Sequence, residues 1–422
     1  MIRYFLPGFI LLLLLGLNAR PAQAQFTVSG VARDSLSREP LGFASVFLAK
    51  TTYGTITDEA GRFTLSGVAP GSYDLVVSYL GYRLYQLPVQ VRGPLTVNPL
   101  LAPLSTQLQE VLVQARRHRN DPAALLKFKQ LFLGTSSFSR QCKILNEEDI
   151  VVDFDPKRSI LTASSSSFVK VENQALGYVV TYYGLRFEAD LNQQTVIFLG
   201  KPGFTELPAR NARRQQQWQQ NRRTAYIGSL THFLRAVHND QLTAQGFLAQ
   251  RTHQVFNIRR ARADSLLKQQ RAAAGGKPFD VSDSLMARLS ESPAYLYLYT
   301  RPLPADSLRR RATDGTYQLR FRDQVQVTYQ AEKPDPRYQP ASPLGGLLPP
   351  ATTQVVISSQ SPPTPQVSTL YLLQPGVRLL PDGQLAEPLA IFTEGYWAFE
   401  KMGEFLPLDY APNLPPVPAQ KP

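Results

Sequence analysis

The sequence predicts a mostly β protein, an N-terminal β-sandwich followed by a β-rich α+β domain. Three observations carry this expectation. Between residues 26 and 101, six short runs of β-branched and aromatic residues alternate with turn signals at the spacing of an all-β sandwich. Similar runs resume after residue 138 and again after Ala294, with helical periodicity confined to the stretches between. Proline, at 34 residues, favours loops, turns and sheet edges over long helices. With 422 residues, 43% hydrophobic and 18% charged, the chain is long enough for about two to three domains with packed cores.

Residues 1–24 read as a secretory signal peptide. Arg3 supplies the positive start, Phe9 to Leu17 the apolar run, and Ala22-Gln23-Ala24 a small-residue cleavage site. Cleavage leaves Gln25 first. The apolar run is too short to span a bilayer, and no later segment offers about 18 uninterrupted apolar residues. Cys142 is the single cysteine. That excludes lipid attachment at a mature N-terminal cysteine and any intramolecular disulfide framework. The expectation is an exported chain, soluble or peripherally held.

Residues 25–104 form the first domain. Its candidate strands are 26–33, 41–49, 62–66, 72–79, 84–91 and 95–101. In the fourth, Tyr73, Leu75, Val77 and Tyr79 share one face by alternation. Asp58 to Gly61 is a turn in which Gly61 takes a positive φ. Pro70-Gly71 is a second turn, and Gly81 marks a bend.

The residues of this domain fall in a recognisable order. Val28, Gly30 and Asp34 come first, then P-L-x-x-A-x-V (Pro40, Leu41, Ala44, Val46). Next is G-T-x-T-D-x-x-G-x-F-x-L (Gly54, Thr55, Thr57, Asp58, Gly61, Phe63, Leu65), then Y-x-L-x-x-S-x-x-G-Y (Tyr73, Leu75, Ser78, Gly81, Tyr82). The pattern resembles the carboxypeptidase-regulatory-like domain. The resemblance implies a seven-stranded transthyretin-like or Ig-like sandwich. It also implies an envelope setting, periplasmic or associated with the outer membrane, because the family is abundant in Bacteroidota and often precedes the plug of TonB-dependent receptors. Leu108 to Ala115 resembles the strand that follows the domain in those receptors. A receptor barrel is not expected, since no train of amphipathic barrel strands follows.

Residues 105–137 are expected to be a linking strand and helix. Asp121 caps the helix, Pro122 opens it, and Leu125, Leu126 and Phe128 form its apolar stripe. Residues 138–410 form the second domain. A meander is expected over 150–154, 159–163, 168–172, 177–183, 185–189 and 195–199. Two helices follow: about 209–223 around Trp218, and one capped by Ser229 with Leu230, Phe233, Leu234 and Val237 on one face. Then come a strand near 245–258 and two polar helices within 261–290, broken at Gly275-Gly276. The last expected strands are 295–299, 316–329, 352–359 and 368–373. Residues 411–422 are a Pro-rich tail. Residues 228–237 and 395–410 resemble a region of uncharacterised Bacteroidota envelope proteins that carry the same sandwich.

The formal charge is +13, or +11 once Arg3 and Arg20 leave with the signal. Residues 209–271 hold twelve Lys/Arg against Asp240 and Asp264. Arg210, Arg213, Arg214, Arg222, Arg223, Arg259, Arg260 and Arg262 are the candidate anion-binding face. Its targets would be headgroup phosphates of an anionic membrane surface, acidic glycans or an acidic protein. The alternative is solvated arginine on the outer side of core-facing helices. Nucleic acid is not expected for an exported chain.

Each catalytic class requires its own residue pattern. A zinc peptidase needs H-x-x-E or H-E-x-x-H. None of His118, His232, His238 and His253 fits, and no metal or cofactor is called for. There is no G-x-S-x-G elbow, phosphate loop or dinucleotide fingerprint. Cys142 reads as a small apolar group, and Ser164 to Ser167 as a loop. Paired carboxylates could come from Glu147, Glu148, Asp149, Asp153 and Asp155 or from Glu394, Glu400 and Glu404. Sequence alone does not place them across a cleft. Tyr295, Tyr297 and Tyr299, and Tyr396, Trp397 and Phe399, read first as core and second as sugar-stacking aromatics. No catalytic residue is assigned. The leading expectation is a non-enzymatic envelope protein that binds a protein or glycan partner, the sandwich being a docking module. The alternative is a carboxylate-dependent hydrolase of cell-wall or glycan material, which requires a cleft with convergent carboxylates of perturbed pKa.

Overall fold

A computed structural model describes residues 24–104, 120–340 and 365–414. The signal peptide, Leu108 to Ala115, the strand expected at 352–359 and residues 415–422 of the tail lie outside the described residues. The fold class is mostly β, as the sequence predicts.

The first domain contains β1 (Phe26–Val31), β2 (Arg33–Asp34), β3 (Ser45–Leu48), β4 (Gly54–Ile56), β5 (Arg62–Val68), β6 (Gly71–Ser78), β7 (Tyr85–Val91), β8 (Leu95–Thr96) and β9 (Leu100–Leu101). One sheet runs β5-β1-β8 and the other β4-β3-β6-β7, with β2 paired to β9. Val28, Val46, Phe63, Leu65, Leu75, Val77 and Val91 alternate inward and form the core between the sheets. Gly61 has φ 71°, and an added Cβ would sit 2.5 Å from the Ala32 carbonyl, so the turn requires glycine.

The second domain opens on helix α1 (Pro122–Leu133). The Asp121 side chain accepts from the Ala123 N–H and Pro122 starts the first turn. The stripe differs from expectation: Ala124, Phe128, Phe132 and Leu133 are buried and Leu126 is exposed. Phe128 and Phe132 enter the core of the second domain, so α1 is part of that domain and not a free link.

Next come β10 (Cys142–Ile144), β11 (Ile150–Asp155), β12 (Ile160–Ser165), β13 (Phe168–Asn173), β14 (Tyr178–Asp190) and β15 (Thr195–Glu206). They form a six-stranded antiparallel sheet, β10-β13-β14-β12-β11, with β15 on β14. The two strands expected at 177–183 and 185–189 are one. Gly184, at φ 62°, sits in a register shift between Tyr183 and Arg186 and bends the strand without ending it. Phe128 and Phe132 stack on each other and meet Phe187 edge-on, with Phe198 beside Phe132.

Helices α2 (Ala212–Tyr226), capped by Asn211, and α3 (Leu230–His238), capped by Ser229, lead to a second sheet. Its strands are β16 (Phe247–Phe256), β17 (Ala294–Pro302), β20 (Gln324–Tyr329), β21 (Gln366–Leu372) and β23 (Ile391–Gly395), ordered β17-β16-β20-β21-β23. A small sheet orders β18 (Arg309–Arg311), β19 (Tyr317–Leu319) and β22 (Val377–Leu379). The run expected at 316–329 is thus two strands in two sheets. Phe233, Leu234 and Val237 of α3 pack with Phe247, Val325, Val327, Leu370 and Trp397 in a separate core. Helices α4 (Ile258–Ala274) and α5 (Asp283–Ser290) form a hairpin between β16 and β17, with Gly275 in the left-handed conformation after α4. Two short helical turns, α6 (Ala305–Leu308) and α7 (Tyr396–Phe399), complete the set.

The two domains touch. Phe47 of β3 stacks on Tyr183 of β14 at 4.9 Å, with Val76 and Phe168 beside them. Gly203 leaves room for the Phe47 ring, which an added Cβ would approach to 3.1 Å. The Lys50 N–H donates to the Pro202 carbonyl and the Phe204 N–H to the Thr51 carbonyl. Lys201 pairs with Asp74 at 2.6 Å. Asp409 accepts from the Thr52 N–H at 2.9 Å and from its hydroxyl.

Candidate functional site

The second domain contains a cleft of about 240 Å³. Ser136 to Phe138, after α1, and Thr224 and Ala225, late in α2, form part of its wall. The segment 332–336, after β20, forms another part, and Tyr396, Phe399, Glu400 and Glu404, on and after α7, complete it. Glu332, Asp335, Glu400 and Glu404 therefore converge from two segments far apart in sequence.

Local structure fixes these groups. The Asp335 carboxylate accepts from the Ser137 N–H at 3.0 Å and its hydroxyl at 3.2 Å. The Asp335 N–H donates to the Tyr396 hydroxyl at 3.1 Å. Arg337 Nε donates to the Thr135 carbonyl. These bonds tie the 332–337 segment to the turn after α1. Glu404 accepts from the Lys401 N–H at 2.9 Å and bonds the Ser136 hydroxyl. An added Cβ on Gly403 would lie 2.3 Å from the Ser139 hydroxyl, so glycine there lets the 402–404 turn close on the segment after α1.

The electrostatics follow from enclosure. Glu332 keeps its proton up to about pH 7, because burial outweighs its bonds to Thr224 and Gln366 and the pull of Arg223. Glu404 is also raised to about 7 by burial, against the bonds from Ser136 and the Lys401 N–H. Glu400 is raised well above the carboxylate range, first by burial and then by Glu404 and Glu332. Burial lowers the neighbouring Lys401 ammonium. Phe138, Tyr396 and Phe399 supply the aromatic wall, with Tyr338 edge-on to Tyr396 and Phe399. The arrangement can hold and exchange protons and can accept or donate several hydrogen bonds at one place. Among the described residues, no group of three or more His, Cys, Asp and Glu side chains is set to hold a metal ion.

Of the carboxylates singled out by sequence, Glu400 and Glu404 reach the cleft. Glu147 pairs with Lys129 and does not line the cleft, Asp153 and Asp155 lie on β11, and Glu394 bonds the Tyr371 hydroxyl. Glu332 and Asp335 were not singled out. They follow strand β20 in a Pro-rich loop, and only the pairing of β20 with β21 and β21 with β23 brings that loop beside α7.

The arginine face divides between two helices attached to different sheets. Arg210, just before α2, and Arg213 and Arg223 are exposed, and Arg214 donates to the Gln174 carbonyl at 2.7 Å. Arg222 is a correction. It is 5% exposed, donates to the Leu176 and Gly177 carbonyls, pairs with Glu206 at 2.7 Å and covers the Tyr178 ring at 3.9 Å. A guanidinium so engaged serves the fold. Arg259, Arg260 and Arg262 begin α4, and Arg260 bonds Asp264.

The aromatic residues are also redistributed. Tyr396 and Trp397 are buried, but Tyr295, Tyr297 and Tyr299 are 46–55% exposed, so the core expectation fails for β17. The reason is position: among the described residues β17 is an edge strand of its sheet, and residues 294–297 pair only with the end of β16. His232 is buried between the Gly228 N–H, which donates to Nδ1, and Gln245. Burial lowers its pKa to about 4, so it is a neutral structural histidine. Burial raises the Cys142 thiol to about 12.

The fold and this site define a β-rich protein in which an N-terminal β-sandwich is joined to a cleft-bearing region. Residues 28–113 match the model of the CarboxypepD_reg-like domain. The TonB-dependent receptor SusC of Bacteroides thetaiotaomicron is 39% identical over 89 residues, 21% of this chain and 8% of the receptor. This chain therefore spans a small part of that relative's length. Among solved structures, catechol 1,2-dioxygenase from Acinetobacter sp. ADP1 is 13% identical, covering 21% of this chain and 55% of that one at a TM-score of 0.17. The group B streptococcus pilus 2b backbone protein is 16% identical, covering 20% and 42% at 0.17. A cohesin–X-dockerin complex from Acetivibrio cellulolyticus is 21% identical, covering 26% and 76% at 0.18. Similarities of this size do not bear on what the chain does.

Proposed function

We propose that this is an exported envelope protein, periplasmic or held at the outer membrane, that binds a saccharide in the carboxyl-lined cleft. The observation that carries the reading is the convergence of Glu332, Asp335, Glu400 and Glu404 beside Phe138, Tyr396 and Phe399. Carboxyl groups bond sugar hydroxyls, and aromatic rings take the apolar ring faces. At 240 Å³ the cleft suits one ring or a chain end. The envelope setting rests on the signal-like N-terminus and on the sandwich shared with SusC. In this reading the sandwich is the docking module for an envelope protein.

The raised pKa values of Glu332 and Glu404 favour a second reading, carboxylate-dependent hydrolysis at the same cleft. Calorimetry of the mature chain against neutral and acidic envelope saccharides separates these readings from others. Glu404→Gln should weaken binding at least tenfold. Unchanged affinity in that variant, or no binding across the panel, overturns the cleft reading. Release of new reducing ends, lost in Glu404→Gln, selects hydrolysis.

A further inference from the structure

A second surface lies away from the cleft residues. Among the described residues, strand β17 is an edge strand, paired on one side only, to β16. Both of its faces are open: Tyr295, Leu296, Tyr297, Leu298 and Tyr299 are each 44–55% exposed. Natural edge strands are protected by charge, proline or bulges, because an open edge of unpaired N–H and C=O groups recruits another strand. Here no charged residue occurs between Ser292 and Thr300, proline stands only at the ends, Pro293 and Pro302, and the register shift against β16 falls beyond Leu298.

The support beneath β17 is thin. Strand β16 pairs with β20 from Phe247 to Thr252 and with β17 from Gln250 to Phe256. Residues 253–256 and 294–297 therefore project beyond the sheet as a two-stranded ribbon, and a ribbon of two strands is marginal in water. Phe256 at its tip is 70% exposed.

The sequence of the edge indicates what covers it. Tyr-Leu-Tyr-Leu-Tyr is a palindrome about Tyr297. Two copies paired antiparallel about an axis at Tyr297 set Tyr295 opposite Tyr299 and Leu296 opposite Leu298. All tyrosines then share one face and all leucines the other. A shift by one residue would set tyrosine against leucine. Self-complementarity of this kind is what an isologous two-fold contact requires. We propose that β17 pairs with β17 of a second copy of this chain. The projecting ribbons then become a four-stranded sheet, β16-β17 joined to β17-β16 of the partner.

The test uses the full mature chain. Sedimentation should show a dimer, and Tyr297→Lys, which faces like charges at the axis, should give a monomer. Mixing Tyr297→Lys with Tyr297→Glu should restore a mixed dimer, which separates loss of pairing from loss of folding. Tyr297→Cys should cross-link to itself under oxidation. Thr300→Cys should not, since its two copies would lie six residues apart along the strand, roughly 20 Å. A wild-type monomer at the highest soluble concentration overturns the proposal. So does a Tyr297→Lys dimer, or equal cross-linking at both positions.

Discussion

Replacing Glu404 with glutamine isolates the energetic consequence of burying the cleft carboxyls. In the folded chain Glu404 holds its proton up to about pH 7, and its ordinary value is 4.5. Because the folded value is raised, its stabilising contribution is complete below pH 4.5. It declines as pH rises from 4.5 to 7 and is lost above 7. At about 1.4 kcal/mol per factor of ten, that interval is worth at most roughly 3 kcal/mol. Partial water access to the cleft reduces it to about 1–2 kcal/mol. Glutamine keeps the shape: its carbonyl can accept from the Lys401 N–H and its amide can face the Ser136 hydroxyl. His232 acts in the opposite sense. Its lowered value, about 4, makes stability rise with pH up to its ordinary 6.5. A difference between wild type and variant removes that background. Urea unfolding at pH 5, 6, 7 and 8 should show the variant gaining about 1–2 kcal/mol on wild type from pH 5 to 8. Curves that stay parallel to within about 0.5 kcal/mol would refute the claim that the folded cleft holds this proton.

Arg222→Met should lose about 2–3 kcal/mol, because the buried Leu176 and Gly177 carbonyls lose their donor while Glu206, half exposed, turns to solvent; the thermal midpoint checks it. Phe132→Ala should cost about 3–5 kcal/mol by opening a cavity among Phe128, Phe187 and Phe198. A wild-type urea midpoint would contradict its place in the core. Gly177→Ala should destabilise by about 2 kcal/mol or more, since Gly177 has φ 72° and its Cβ would fall 2.3 Å from the Trp218 ring. Tryptophan emission should shift with it. Asp409→Ala removes both bonds to Thr52 and should speed proteolysis between the domains without lowering the stability of either core.

Legibility in the sequence followed the range of the interactions. Asp121-Pro122 and Ser229 were readable as helix starts, because a cap acts within three residues. Gly61 was readable as a turn for the same reason. Gly184 misled: glycine signals both a strand end and a strand bend, and the register to β15 that distinguishes them lies about fifteen residues on. The cleft was half legible. Glu400 and Glu404 could be named as acids, but Glu332 joins them through two strand pairings that no local pattern encodes. Tyr295 to Tyr299 alternate as a strand should, yet alternation cannot tell an edge from a centre. Arg222 looks like its exposed helical neighbours in composition and differs only in facing Tyr178.

The contact between the domains also bears on how the chain matures. Thr52 meets Asp409 across 357 residues, and Arg235 donates to the Leu408 and Tyr410 carbonyls. Loop closures of that span form late. The sandwich, whose strand pairings all fall within residues 26–101, can fold while most of the chain is still to be made; its 47–51 edge is next covered by residues 168–204, and Lys50 and Thr52 gain their last partners only when Leu408 and Asp409 have arrived. Chains stalled or clipped before Leu408 would leave the Lys50 carbonyl and Thr52 open, a mark by which a protease could tell finished molecules from unfinished ones.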